Sequence, residues 1–265
     1  MVAPRVASKS VWLYVPNLIG YVRVVCILAA AINGTDPGCT RAFFVLYATS
    51  YLLDAFDGPA ARYLGETSRF GAVLDMVTDR VSTALLLGVL AHEAAAQGQH
   101  AYASYWLLLM MLDVGAHWVQ TYSAGVVGAA SHKELEDEPS LLTWYYKRTN
   151  LFVVCLLNET HLIMALLLAR GGLEQSLPFF SWALPWRVPF VPELWGAHAA
   201  QSLAAWLWAL GLPVFVLKQV ISLVHLVRAS QRVVALDTRT SLDSLAASPT
   251  ATGSASKSRA ASRKR

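Results

Sequence analysis

Six apolar runs, each near the length that crosses a bilayer, constrain this chain more than any other feature. They are Asn17–Ile32, Arg41–Phe56, Gly71–Ala91, Ala103–Tyr122, Leu151–Ala169 and Gln201–Val227. A helix needs about 20 largely apolar residues to span the hydrocarbon layer. A backbone in lipid must also satisfy its own hydrogen bonds, which favours helices. Of the 265 residues, 55% are apolar and 14% charged, whereas soluble domains carry about 25% charged residues. A soluble globule is excluded on that ground, and disorder over most of the chain is excluded by the apolar content. The expected fold class is all-α and integral to the membrane, a bundle of six transmembrane helices with a polar cavity facing the cytosol.

The runs divide the chain into an interfacial segment at 1–16, a six-helix domain at 17–230 and a basic Ser/Ala-rich tail at 231–265, expected to be mostly disordered. Trp12 and Tyr14 in the first part suit the headgroup belt. Lysines and arginines set the orientation. With both termini on one side, that side holds fifteen of them against three (Arg41, Arg170 and Arg187) on the other, so both termini are expected in the cytosol. The net charge of +4 lies in loops and tail and forms no basic stripe on a helix, so no nucleic-acid partner is expected. Cys26, Cys39 and Cys155 are scattered, odd in number and without a CxxC pair, which argues against a disulfide framework or a zinc site.

Chemistry concentrates in Leu53–Arg80, LDAFDGPAARYLGETSRFGAVLDMVTDR. Asp54 and Asp57 stand at i,i+3 and Asp75 and Asp79 at i,i+4, so each pair shares one helix face. The short connection predicts antiparallel neighbouring helices and four carboxylates converging at the membrane surface. Four such acids cannot all stay ionised unless cations neutralise them. Oxygen-only ligands select a hard ion, Mg2+ or Mn2+, and four carboxylates suffice for two ions. A two-metal site suits in-line displacement at phosphorus. Pro59 predicts a break or kink in the second helix at Gly58, and Gly58 permits close approach of a ligand. Arg62 and Arg69 flank the turn with donors that match phosphate. Acids inside a membrane are costly and usually functional, which disfavours mere capping or pairing with nearby arginines.

The pattern D-x2-D-G-x2-A-R-x8-G-x3-D-x3-D is complete as Asp54, Asp57, Gly58, Ala61, Arg62, Gly71, Asp75 and Asp79. It resembles the signature of the CDP-alcohol phosphatidyltransferase family. The stretches VPNLIGYVR (15–23), LDVGAHW (112–118) and SHK (131–133) resemble the eukaryotic branch that uses inositol as acceptor, a likeness covering roughly Val11 to Asp237. The resemblance implies an endoplasmic reticulum enzyme, often a homodimer, that displaces CMP from CDP-diacylglycerol with myo-inositol. It assigns Asp54, Asp57, Asp75 and Asp79 to metal, Asp79 also to the general base, and Gly58, Arg62 and Ser68 to CDP-diacylglycerol. Arg23, His132, Lys133 and Arg148 are expected contacts to inositol or phosphate. Asp113 with His117, and Asn158 with Glu159 and His161, read first as interhelical hydrogen-bonding groups. The alternatives are another acceptor, glycerol 3-phosphate or serine, or a cation-coupled transporter, which would spread its acids through the bilayer depth and use paired half-helices.

Overall fold

The computed structural model of the chain describes residues 10–127, 140–171, 177–189 and 199–247. Seven helices carry its architecture: α1 (Val15–Asn33), α2 (Thr40–Leu64), α3 (Arg69–Ala96), α4 (His100–Val127), α5 (Ser140–Tyr145), α6 (Arg148–Arg170) and α7 (Leu203–Ala247). Among the described residues there is no strand, only an isolated bridge between Ala183 and Ser202.

α1 is polar within and apolar without. Asn17, Gly20, Arg23, Ile27 and Ala30 form its buried stripe. Leu18, Val22, Val25, Leu28 and Ile32 face outward, exposed. That inversion is expected of a helix whose surroundings are lipid, since burial against lipid tails is what satisfies an apolar face there. Val15–Asn33, Arg148–Arg170 and Leu203–Ser244 are each long and apolar enough to cross a membrane. α2, α3 and α4 have 25, 28 and 28 residues, so length suffices. The acids and arginines of α2 and α3 account for much of their greater polarity.

The helices expected to lie side by side do not. α1 packs along α2 and also against α3, and so fills the wedge between them. Small residues allow it. A Cβ on Gly71 would lie 2.7 Å from Asn17 Oδ1, and one on Gly20 would lie 2.7 Å from Leu74 Cδ2. Behind this trio, α4 packs on α3 and α7, α6 packs on α7, and α3 meets α6. The main core joins Phe43, Leu86, Leu162, Leu166 and Phe215.

The far end of the bundle is tied by Arg170 at the end of α6. Its Nε donates to Glu93 Oε2 at 3.2 Å and its Nη1 to Thr40 Oγ1 at 3.2 Å, while Nη2 reaches the Gly34 carbonyl. Glu93 lies 18 residues beyond Asp75, about 27 Å along α3. The four aspartates and this latch therefore sit at opposite ends.

Two further expectations change. α2 continues through Pro59 to Leu64 and stops at Gly65, whose φ of +64° is the left-handed conformation glycine favours. Pro59 removes a single donor, to the Ala55 carbonyl one turn back, and near a helix end water can replace it. α7 runs through Ala247, so 231–247 is helical and not disordered. That segment contains no Gly or Pro, and Thr238, Thr240 and Ser241 turn their hydroxyls back onto the carbonyls of Val234, Leu236 and Asp237. At 45 residues, about 68 Å, α7 is longer than a bilayer requires.

Candidate active site

Each carboxylate reaches its place by local rules. Asp54 and Asp57 are one turn apart near the end of α2. Asp75 and Asp79 are one turn apart in the first half of α3. The turn between them is fixed at both ends: the Glu66 N–H returns to the Ala61 carbonyl at 2.9 Å, and the Ser68 hydroxyl accepts the Gly71 N–H at 3.0 Å as the N-cap of α3. The Glu66 carboxylate accepts the Val15 N–H at 2.6 Å, placing negative charge at the start of α1.

α1 then delivers Arg23, 2% exposed, into the middle of the four acids. Nη1 lies 2.6 Å from Asp57 and 2.7 Å from Asp75. Nη2 lies 2.7 Å from Asp54 and 2.5 Å from Asp79. Each nitrogen thus bridges one acid from α2 and one from α3. Asp54, Asp57 and Asp75 also present oxygens within 4.8 Å of one another.

The donor set fits a divalent metal. It is all carboxylate oxygen, it converges from two helices, and it already surrounds a buried cation, the Arg23 guanidinium, which stands where positive charge is required. One guanidinium offsets only one of four negative charges, so the cluster has charge left for one or two divalent ions.

Beside the acids is a cavity of about 190 Å3. Its walls include Asn17 and Gly20 of α1, Gly58 and Arg62 of α2, and Ser68 and Gly71 at the start of α3. The Arg62 guanidinium lies over Gly58, where a Cβ would stand 3.4 Å from Nη1. The expected residues Gly58, Arg62 and Ser68 are therefore brought together with Asp57 and Asp75. Arg23 faces the acids with both terminal nitrogens engaged, a placement different from the phosphate or inositol contact expected of it. Arg148 is the exposed first residue of α6. His132 and Lys133 lie outside the described residues.

On the other side of Asp79 is a second polar cluster. Arg80 Nη1 donates to Asp113 at 3.1 and 3.3 Å, and Lys218 Nζ lies 3.8 Å from the same carboxylate. Glu159 accepts from the Tyr47 hydroxyl at 2.6 Å and from Thr83 at 3.0 Å, and the His161 ring meets the Trp208 carbonyl at 2.8 Å. Glu159 and His161 thus make the interhelical bonds expected of them. Sequence reasoning missed Asn17 and Glu66 as parts of the site. The Pro16-Asn17 pair at the start of a helix was the available sign for the first.

A profile of the CDP-alcohol phosphatidyltransferase family matches residues 13–186. The human protein named CDP-diacylglycerol–inositol 3-phosphatidyltransferase is 35% identical over 236 residues, 87% of this chain and 95% of its own length. The Arabidopsis thaliana protein named CDP-diacylglycerol–inositol 3-phosphatidyltransferase 1 is 40% identical over 178 residues, 66% of this chain and 74% of its own. The Saccharomyces cerevisiae CDP-diacylglycerol–inositol 3-phosphatidyltransferase is 40% identical over 158 residues, 58% of this chain and 68% of its own. No solved structure matches. With its profile spanning well over half of the residues and the signature acids gathered at one point, the chain belongs to the CDP-alcohol phosphatidyltransferase family.

Proposed function

We propose that the chain transfers the phosphatidyl group of CDP-diacylglycerol to a hydroxyl of myo-inositol and releases CMP. The observation that carries this reading is the convergence of Asp54 and Asp57 with Asp75 and Asp79 around one buried cation, beside the cavity of Gly58, Arg62 and Ser68. The relatives described above carry this activity in their names.

Two Mg2+ or Mn2+ ions held by the four carboxylates would neutralise the pyrophosphate and favour in-line displacement at phosphorus. Arg62 supplies paired N–H donors to the pyrophosphate, and Gly58 lets it approach the α2 backbone. Ser68 lies at the N-terminus of α3, where anions are favoured. Asp79 lies one turn farther than Asp75 along α3 from the α2–α3 turn and takes the proton of the inositol hydroxyl as that oxygen bonds to phosphorus. The bond from phosphorus to the CMP oxygen breaks, and the diacylglycerol tails stay in lipid.

In the membrane the reading is six crossings, with the acids and both termini in the cytosol, in the endoplasmic reticulum and as a homodimer. The asymmetry of lysine and arginine between the two sides supports the orientation. The four signature aspartates gather around one cation, and Asp113, Glu159 and Glu93 are each tied to fixed partners, which disfavours a transport path through the bundle.

The test is CMP release by purified protein given CDP-diacylglycerol and Mg2+, with myo-inositol, glycerol 3-phosphate and serine offered separately. Release that depends on inositol is the expected result. Release with another acceptor alone would keep the chemistry and overturn the choice of alcohol.

A further inference from the structure

α4 and α7 pack against each other and place polar residues along their seam. α4 contributes Asp113, His117, Gln120 and Ser123, which recur at helical spacing and so share a face. α7 contributes Lys218, Ser222 and His225. Asp113, Ser123, Lys218, Ser222 and His225 are all buried. The His117 and His225 rings lie 6.4 Å apart between centroids. Gln120 Oε1 and Ser123 Oγ are buried without a hydrogen-bond partner among the described residues, which is costly unless a donor or acceptor arrives to meet them. The seam leads to Arg80, whose Nη2 lies 4.0 Å from Asp79.

Both cations of this seam are held by carboxylates, Lys218 by Asp113 and Arg80 by Asp113 and, at 4.0 Å, by Asp79. Arg80 and Lys218 both converge on the Asp113 carboxylate, at 3.1 and 3.8 Å. His117 Nδ1 meets the Asp113 carbonyl at 2.7 Å, and its Nε2 lies 3.3 Å from Arg80 Nη1. Both cations are therefore committed before any substrate enters. What the seam has left over is the hydrogen-bonding capacity of Gln120 Oε1 and Ser123 Oγ, with no unpaired cation beside it among the described residues, and that suits hydroxyls better than a phosphate.

We propose that Asp113 is a specificity-determining residue: by holding Arg80 and Lys218 it makes the α4–α7 seam accept an uncharged polyol and reject its phosphate ester. This rests on the reading of Asp79 as the group that faces the acceptor. Removing the Asp113 charge leaves Lys218 without its carboxylate and Arg80 with Asp79 alone at 4.0 Å, two buried cations with unfilled donors at one point, which is the composition of an anion site.

The experiment compares the parent protein with Asp113→Asn and with Asp113→Asn/Lys218→Met. Two readouts are used: inhibition of inositol-dependent CMP release by inorganic phosphate, and the phosphate-dependent shift of the melting temperature without metal. Asp113→Asn is expected to respond to phosphate at roughly tenfold lower concentration, a single charge-assisted contact's worth of affinity, and the double variant to return towards the parent. Equal phosphate response in folded parent and Asp113→Asn protein would overturn the proposal. If Asp113→Asn does not fold, His117→Lys adds a cation that Asp113 cannot also cancel, and an unchanged phosphate response there overturns the proposal equally. Parent protein that releases no CMP with inositol would sink the assigned reaction, while the melting shift would still decide the role of Asp113.

Discussion

Arg23 Nη2 lies 2.5 Å from Asp79, across the contact between α1 and α3, and the same guanidinium holds the other three acids at 2.6–2.7 Å. The helix that separates the two acid-bearing helices is thus the one that supplies their counter-charge. Any divalent ion entering the cluster competes for oxygens that Arg23 already holds.

Arg23→Met therefore has opposite effects on two states. Without metal, four carboxylates lose their shared cation, and stability should fall by about 3–5 kcal/mol, the usual cost of orphaning one side of a buried ion pair. With metal, the competitor is gone, so the stabilisation by Mg2+ or Mn2+ should grow, since a ligand that binds only the folded state stabilises in proportion to its affinity. Melting curves with and without each ion measure both. An unchanged metal-free melting temperature would show that Arg23 does not act as the counter-charge.

Asp79→Asn should lower CMP release by about 10²–10⁴-fold, the range set by loss of a positioned general base. Asp75→Asn tests the division of labour. It should weaken metal-dependent stabilisation at least as much as Asp79→Asn does, because Asp75 shares the tight three-acid cluster with Asp54 and Asp57. Rates measured at saturating metal, together with metal titrations of the melting temperature, separate the two roles.

The acid cluster and the all-helical fold were legible in the sequence because both rest on short periods. Spacings of three and four residues bring Asp54 to Asp57 and Asp75 to Asp79 on any helix. The place of α1 was not legible. A short turn joining α2 to α3 implies neighbours, and nothing local says that a third helix enters between them. That depends on the close approach at Gly71 and Asn17, a contact between residues 54 positions apart in sequence. Arg23 was visible as a basic residue and an expected phosphate or inositol contact, but its place among the four acids needed that insertion. Pro59 does not break α2, because the cost of a proline depends on where in a helix it falls. The helical stretch 231–247 was hidden by a polar composition that suits an exposed helix as well as a coil.

Gly71→Ala tests the wedge directly. The added Cβ would stand 2.7 Å from Asn17 Oδ1 and 3.1 Å from Ser68 Oγ. Asn17 has little room to yield, being buried with its Nδ2 donating to the Val11 carbonyl at 2.6 Å. Overpacking of this kind costs about 1–3 kcal/mol. Because α1 and α3 line the same cavity, the KM for CDP-diacylglycerol should rise several-fold while the KM for inositol changes little. Steady-state kinetics with each substrate varied would reveal a general loss of fold as equal changes in both.

The far end offers the converse case. Arg170 and Glu93 are 1% and 8% exposed and lie 3.2 Å apart, and Gln97 adds bonds to Glu93 at 3.0 Å and to the Ala169 carbonyl at 2.7 Å. Arg170→Met removes the ties from α6 to Glu93, to Thr40 and to the Gly34 carbonyl together, and leaves Glu93 buried without its cation. A loss of about 3–5 kcal/mol is expected. The latch stands about 27 Å along α3 from Asp75, beyond the reach of direct contact with the acids. The melting temperature should therefore drop while the additional shift produced by Mg2+ stays as in the parent protein. A variant that lost its Mg2+ response while still folded would show that the two ends of the bundle are coupled, with α3 as the element that joins them.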